Sequence, residues 1–198
     1  MKKLISAFLA AFLSLTQASC RTFPSDLEMK VKAFWKETDS WFKPIPDNYP
    51  PDSWSSAEET MKKSGGDCDD YSLYSCSRLS NLGFNKKLLL LERRYQIGDR
   101  ISSGFHVVHL LEYNGLYGSS GNNLADKRIP RYFSIEELAR DLGFSSCLIL
   151  KNKTYSPIEV DYTVLDMSNA EIDKGKENIY LQVEDKIPKN WLKVKNNH

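Results

Sequence analysis

The stretch Gly65-Gly66-Asp67-Cys68-Asp69-Asp70-Tyr71, followed 38 residues after its cysteine by His106, decides how this 198-residue chain is read. Two glycines allow a tight turn, Asp67 is placed to accept from the first free amides of a helix, and Leu73, Cys76 and Leu79 continue at threefold spacing until Gly83. Cys68 therefore falls on the first turn of a helix. The partial positive charge of a helix N-terminus favours thiolate over thiol, and the thiolate is the nucleophile.

Upstream, Leu27, Val31, Phe34, Trp35 and Trp41 are spaced for an amphipathic helix between Pro24 and Phe42. Lys43 to Pro51 carries four prolines and reads as an extended loop. Ser55 or Ser56, with Glu58 or Glu59 three residues on, makes a capping box for a short helix ending near Gly65. Downstream, Leu88 to Leu91 and Phe105 to Tyr113 read as strands joined by a charged loop around Arg93 to Arg100, and Asn114-Gly115 is a hairpin turn. Ser134 with Glu137 caps another helix before Gly143, and further strands are expected at Cys147 to Leu150, near Val160 to Leu165 and at Ile179 to Val183. Helices come first and sheet second, which predicts an α+β fold with helices packed on an antiparallel sheet.

The first 20 residues stand apart. Lys2 and Lys3 form a positive start and Leu4 to Leu15 an apolar stretch too short to span a bilayer, so residues 1–20 read as an export signal. Ala18-Ser19-Cys20 resembles the small-small-Cys ending of a lipoprotein signal, which would lipidate Cys20, while Thr16-Gln17-Ala18 also suits ordinary cleavage. Residues 21–198 then form one domain, with an extension from about residue 152 that carries no interpretable motif. Removing Lys2 and Lys3 takes the formal charge from +1 to −1, so no basic field exists to attract nucleic acid.

Export exposes thiols to oxidation. Cys68 and Cys76 are eight residues apart on one helix, a rise of about 12 Å, which is too far for a bridge. Cys76 and Cys147 either pair or remain free thiols, and no cysteine stands near enough to Cys68 for a redox pair. A cysteine hydrolase needs a base to take the thiol proton and return it to the leaving group. His198 ends the chain, which leaves His106 and His109. An odd separation puts these two on opposite faces of a strand, so at most one serves Cys68, and they cannot form a metal pair. His106, at the mouth of the strand after Ser102-Ser103-Gly104-Phe105, is assigned the base, and His109 a packed position in the core.

Trp54, Glu58-Glu59-Thr60, the Gly65 to Tyr71 run and His106-Val107-Val108, leading into Leu111-Glu112-Tyr113-Asn114-Gly115, together resemble the bacterial transglutaminase-like cysteine proteinases over about residues 50 to 120. The resemblance implies a papain-like, transglutaminase-like fold and a Cys-His-Asp or Cys-His-Asn triad. It also implies an exported thiol peptidase acting on a protein substrate of the cell envelope or surface, in some members with calcium. Such families place an Asp some 14 or 15 residues past the histidine, where this chain reads Ser119-Ser120-Gly121-Asn122-Asn123. Asn122 is the candidate to orient the imidazole there, with Ser120 as a weaker one.

The residues thus point to an exported thiol hydrolase of the periplasm or cell envelope, attached to the membrane if Cys20 is lipidated. Cys68 is the nucleophile, His106 the base, and the Cys68 amide with Trp54 the oxyanion donors. An acyltransferase would use the same residues, and an inactive binding module would have kept the fold and lost the reaction. The sequence requires no cofactor. Asp67, Asp69 and Asp70 suit a helix N-terminus but raise the pKa of a neighbouring thiol. They either cap the helix and bond to backbone or to Arg93 and Arg94, or Asp67 and Asp69 hold a calcium ion.

Overall fold

In KLLLLERRYQI, residues 87–97, a run of leucines buried on both faces passes into three charged residues, a tyrosine, a glutamine and an isoleucine. In the computed structural model, which describes residues 21–45, 54–170, 172 and 173, this whole segment is one strand. Helix α1 (Ser25–Trp41) opens the fold, followed by the short strand β1 (Lys43–Pro44), α2 (Ala57–Lys63) and the short strand β2 (Gly65–Gly66). Then come α3 (Cys68–Ser80), β3 (Lys87–Ile97), β4 (Arg100–Tyr113), β5 (Leu116–Ser120), a 3-10 turn (Leu124–Asp126) and β6 (Arg128–Tyr132). Helix α4 (Ile135–Phe144), β7 (Leu148–Leu150), β8 (Lys153–Tyr155) and β9 (Pro157–Asp166) complete the described elements. The main sheet has the order β6-β5-β4-β3-β9 with every neighbour antiparallel, so the fold is α+β as expected.

Two expectations change. The charged segment after Leu91 is not a loop: β3 and β4 pair without a break from Lys87↔Leu110 to Ile97↔Arg100, and only Gly98 and Asp99 make the turn. The charges satisfy one another across the ladder instead of ending it. Arg94 reaches Glu92 and, on β9, Glu159 at 2.7 Å, while Ser103 donates to Glu92 at 2.9 Å. The strand expected near Val160 to Leu165 is β9, and the chain beyond residue 152, which carried no interpretable motif, thereby joins the main sheet: β9 pairs with β3 from Lys87↔Asp166 to Tyr95↔Pro157 and forms its edge. The expected strand at residues 179–183 and the prolines at 46, 50 and 51 lie outside the described residues.

Alternation along the central strands divides the core. Leu88, Leu90 and Val107 meet α3 through Leu73 and Cys76, whereas Leu89, Leu91, Val108 and Leu110 meet α4 through Leu138 and Leu142. Each such leucine, fully buried, contributes about 1.5–3 kcal/mol. A third cluster seats α1, through Val31 and Trp35, against Leu79, Phe84 and Leu111. Asn114 and Gly115 both adopt positive φ (48° and 74°), which is the backbone of a type I′ hairpin turn. Ser56 and Glu59 form the reciprocal capping box of α2, and Ser134 accepts from the Glu137 amide at the start of α4. Cys76 is buried and Cys147 exposed, and both are free thiols. No helix among the described residues is long and apolar enough to cross a membrane.

His109 is a core histidine, as its position among apolar strand residues implied. It is fully buried on the α3 face, with Nδ1 3.0 Å from the Ser75 hydroxyl and Nε2 2.8 Å from the Asn85 carbonyl. Nε2–H donates to Asn85, so Nδ1 accepts from Ser75 and the ring is neutral. Burial lowers its pKa from 6.5 to about 4, opposed by the Asn85 carbonyl. The unfolded chain therefore takes up this proton first as pH falls. The contribution is complete above pH 6.5 and declines toward about 4, by roughly 3 kcal/mol in all. Chemical denaturation between pH 7 and 4.5 is expected to show this loss, and His109→Gln, less stable at pH 7, is expected to show a flatter profile over the same range.

Candidate active site

Strand β5 is short, and that exposes the place where the site is built. It pairs with β4 only from His109↔Ser120 to Tyr113↔Leu116, so the β4 edge at His106–Val108 has no β5 neighbour. The N-terminus of α3 takes that place. The Ser72 hydroxyl lies 3.0 Å from the Val107 carbonyl and 2.6 Å from the Cys68 carbonyl, and the Val107 amide lies close enough to the Cys68 thiol to favour its ionised form. Cys68, half-buried, packs with Phe105 against the cluster that contains Val107 and Trp54. The nucleophile candidate thus lies on the backbone of the residue next to His106.

The approach to α3 is fixed by Asp70 and Gly66. Asp70 is buried, its Oδ1 accepts from the Ser55 amide, and its side chain fills the space a β-carbon at Gly66 would need. Burial raises the Asp70 pKa and the Ser55 amide opposes this. Asp70 is therefore a brace that ties Trp54-Ser55 to the start of the helix. Asp67 occupies the N-cap position but makes no side-chain capping bond, contrary to the reading of it as an acceptor for the first amides.

His106 is nearly buried, and its Nε2 lies 2.8 Å from Asp126 Oδ2. Asn122, the candidate from sequence, is not the partner: its side-chain oxygen accepts from Asn123 at 3.1 Å at the surface. Ser120 is also engaged elsewhere, accepting from Trp35 Nε1 at 2.9 Å. The acid comes instead from the 3-10 turn after β5. Ser119 Oγ donates to the Asp126 carbonyl at 2.6 Å and the Asn123 amide to Asp126 Oδ2 at 3.2 Å, which aims the carboxylate back at the imidazole. Gly121 makes room for it, because a β-carbon there would lie 2.6 Å from Asp126 Cβ and 2.9 Å from Val108 Cγ1. Burial raises the Asp126 pKa, but the hydrogen bond and charge of His106, with the charge of Arg93, outweigh it and hold the carboxyl below its usual range. With Nε2–H donating to Asp126, Nδ1 carries the lone pair.

The acids beside Cys68 act against it. Burial pushes the thiol well above its ordinary 9.0, and Asp69, Asp67 and Asp126 push it further, opposed by the Val107 amide. Asp69 is itself raised well above the usual carboxylate range by burial, by its hydrogen bond to Asp67 and by the Asp67 charge. Arg94, taken by Glu92 and Glu159, is not a partner for these acids. Asp67 Oδ1 and Asp69 Oδ2 are buried without a partner, and ligand atoms of Asp67, Cys68 and Asp69 lie within 4.8 Å of one another. Two orphaned carboxylate oxygens beside a thiol fit a divalent cation, which would satisfy both.

No protein-family model matches the chain, and no curated protein matches it.

Asp126 was legible on one ground. It is the only carboxylate between Glu112 and Glu136, but it stands 20 residues past His106, beyond the span in which an acid was sought. Gly121→Ala is expected to push Asp126 off the imidazole and to cost about 1–3 kcal/mol of stability through overpacking. Proton NMR should show the Nε2–H resonance of His106 protected in the native protein, lost in Gly121→Ala and Asp126→Ala, and retained in Asn122→Ala.

Proposed function

We propose that the protein is an exported, transglutaminase-like thiol hydrolase, a cysteine peptidase acting on a protein of the cell envelope, with Cys68, His106 and Asp126 as its catalytic group. One observation carries this reading: the His106–Asp126 bond lies beside Val107, whose backbone touches the Cys68 thiol. The resemblance over about residues 50 to 120 supports the papain-like fold, and the helix-on-antiparallel-sheet arrangement agrees with it.

In the proposed reaction His106 Nδ1 takes the Cys68 proton, and the sulfur adds to the substrate carbonyl. The helix N-terminus supplies the Cys68 amide to the oxyanion, with Trp54 as the second donor. Collapse of the tetrahedral intermediate breaks the C–N bond as His106 returns the proton to the leaving amine. His106 then deprotonates a water that releases the acyl group from sulfur. An amine in place of that water would make the protein an acyltransferase. Asp126 keeps the ring in the required tautomer and stabilises the imidazolium. A calcium ion, where bound, would be held by Asp67 and Asp69 and would offset the negative charge that opposes the thiolate.

The raised thiol pKa favours a second reading, a binding module that keeps the fold without the reaction. Alkylation of Cys68 by iodoacetamide separates the two. The enzyme reading expects labelling at neutral pH to slow by about 10²-fold or more in His106→Ala and markedly in Asp126→Ala, with Asn122→Ala unchanged. It also expects calcium to accelerate labelling, and Asp67→Asn/Asp69→Asn to abolish that acceleration. Equal, slow rates in every variant, together with no cleavage of envelope extracts beyond that of a Cys68→Ala control, would favour the binding module.

A further inference from the structure

A cleft of about 670 Å³ opens between the start of α1 and the β5–β6 edge, and its charged lining is Arg21, Lys32, Lys127, Arg128, Arg131 and Glu28. Three of the five cations are neutralised locally: Lys32 by Glu28, Lys127 by Asp39 and Arg128 by Asp141. Arg21 and Arg131 are exposed and make no ion pair among the described residues. Arg21 and Arg131 are thus the two cleft cations without an ion pair, although Arg131 also donates to the Tyr132 hydroxyl at 3.1 Å and its charge acts on Asp141. Phe133, two residues past Arg131, is 73% exposed.

The position of this cleft in the chain gives the charge its meaning. Phe23 packs edge-on against Tyr113 with ring centroids 5.3 Å apart and lies 6.2 Å from Phe84, which pins the incoming chain at the tip of the β4–β5 hairpin. Arg21 consequently lies against Gly115 in the hairpin turn. The residue before it in the sequence is Cys20, the candidate for lipidation. An acyl chain at Cys20 would hold this end of the molecule in the headgroup layer, where basic side chains are drawn to an anionic surface. A single chain anchors marginally unless a basic surface assists it.

We propose that this cleft is the membrane-facing surface of the protein and takes the phosphate of an anionic phospholipid headgroup between Arg21 and Arg131. The inference rests on Cys20 as the anchored residue of an exported protein, and it is independent of the chemistry at Cys68. His106 lies seven residues from Tyr113 along β4, about 23 Å from the hairpin end.

The test uses the mature chain from residue 20 onward carrying Cys20→Ser, so that neither the export signal nor an acyl chain contributes, in cosedimentation with vesicles. Phosphatidylcholine vesicles with phosphatidylglycerol are expected to bind it at least about tenfold more tightly than phosphatidylcholine alone, with the difference shrinking as salt rises. Arg21→Glu/Arg131→Glu is expected to remove that preference with an unchanged circular dichroism spectrum, and Lys153→Glu, an exposed charge elsewhere, to keep it. If the double variant misfolds, Arg21→Gln/Arg131→Gln takes its place with the same expectation. Equal binding to both vesicles, a preference that survives loss of both arginines, or binding of soluble glycerol phosphate without vesicle binding overturns the proposal. Metabolic labelling of the natural Cys20 with a fatty-acid probe tests the anchor separately. Labelled Cys20 with no headgroup preference refutes the surface and leaves the anchor standing, whereas charge-dependent binding with unlabelled Cys20 removes the anchored orientation and overturns the proposal as stated.

Discussion

Strand β5 ends at Ser120, and the candidate site depends on that stop. A buried strand edge must find partners for its amides and carbonyls. At Val107 those partners are the Ser72 hydroxyl and the Cys68 sulfur, so docking of α3 and placement of the thiol are one event. A longer β5 would satisfy the same groups with its own backbone and would keep the helix away from them. The turn that follows the short strand also carries Asp126, so one truncation admits both the sulfur at Val107 and the carboxylate at His106.

Electrostatics at this junction is divided. Acids at a helix N-terminus stabilise the helix, and Asp70 also braces the Trp54-Ser55 segment. The same acids oppose ionisation of Cys68, because a thiolate beside buried carboxylates concentrates negative charge in a low dielectric. Asp69 resists ionisation first because it is buried and then because of its hydrogen bond to Asp67, which relieves part of the repulsion. Two of their oxygens still lack a partner.

Much of the fold was legible because local signals agreed with the packing they served. The helical spacing of Leu27 through Trp41, the Ser56–Glu59 box and Asn114-Gly115 each specify one backbone geometry, and α1, α2 and the β4–β5 hairpin follow them. The segment from Arg93 to Arg100 was not legible, since its charges look solvated in one dimension. Only with β9 beside β3 do Glu159 and Asp161 come within reach of Arg94, and that neighbour lies some 65 residues away in sequence. The separation of His106 from His109 was legible from parity alone, because a strand with no bulge against β3 cannot put both on one face.

The third member of the group escaped for a different reason. An imidazole needs an oxygen at hydrogen-bonding distance from Nε2, and nothing in that requirement names the element that supplies it. A search at a fixed distance past the histidine assumes that the acid rides on the strand itself. Here the strand has ended and Gly121 leaves a space beside Val108, into which a side chain from five residues further along is inserted. Glycine and aspartate depend on each other: a side chain at 121 would displace the carboxylate, and without Asp126 the glycine would leave a gap against Val108 and His106 open on one side. Ser119 and Asn123 complete the arrangement by holding the turn that carries the acid. The acid is therefore specified by four residues around a turn, a pattern with no fixed spacing to the histidine, and it becomes visible only when the space vacated at residue 121 is seen to be filled.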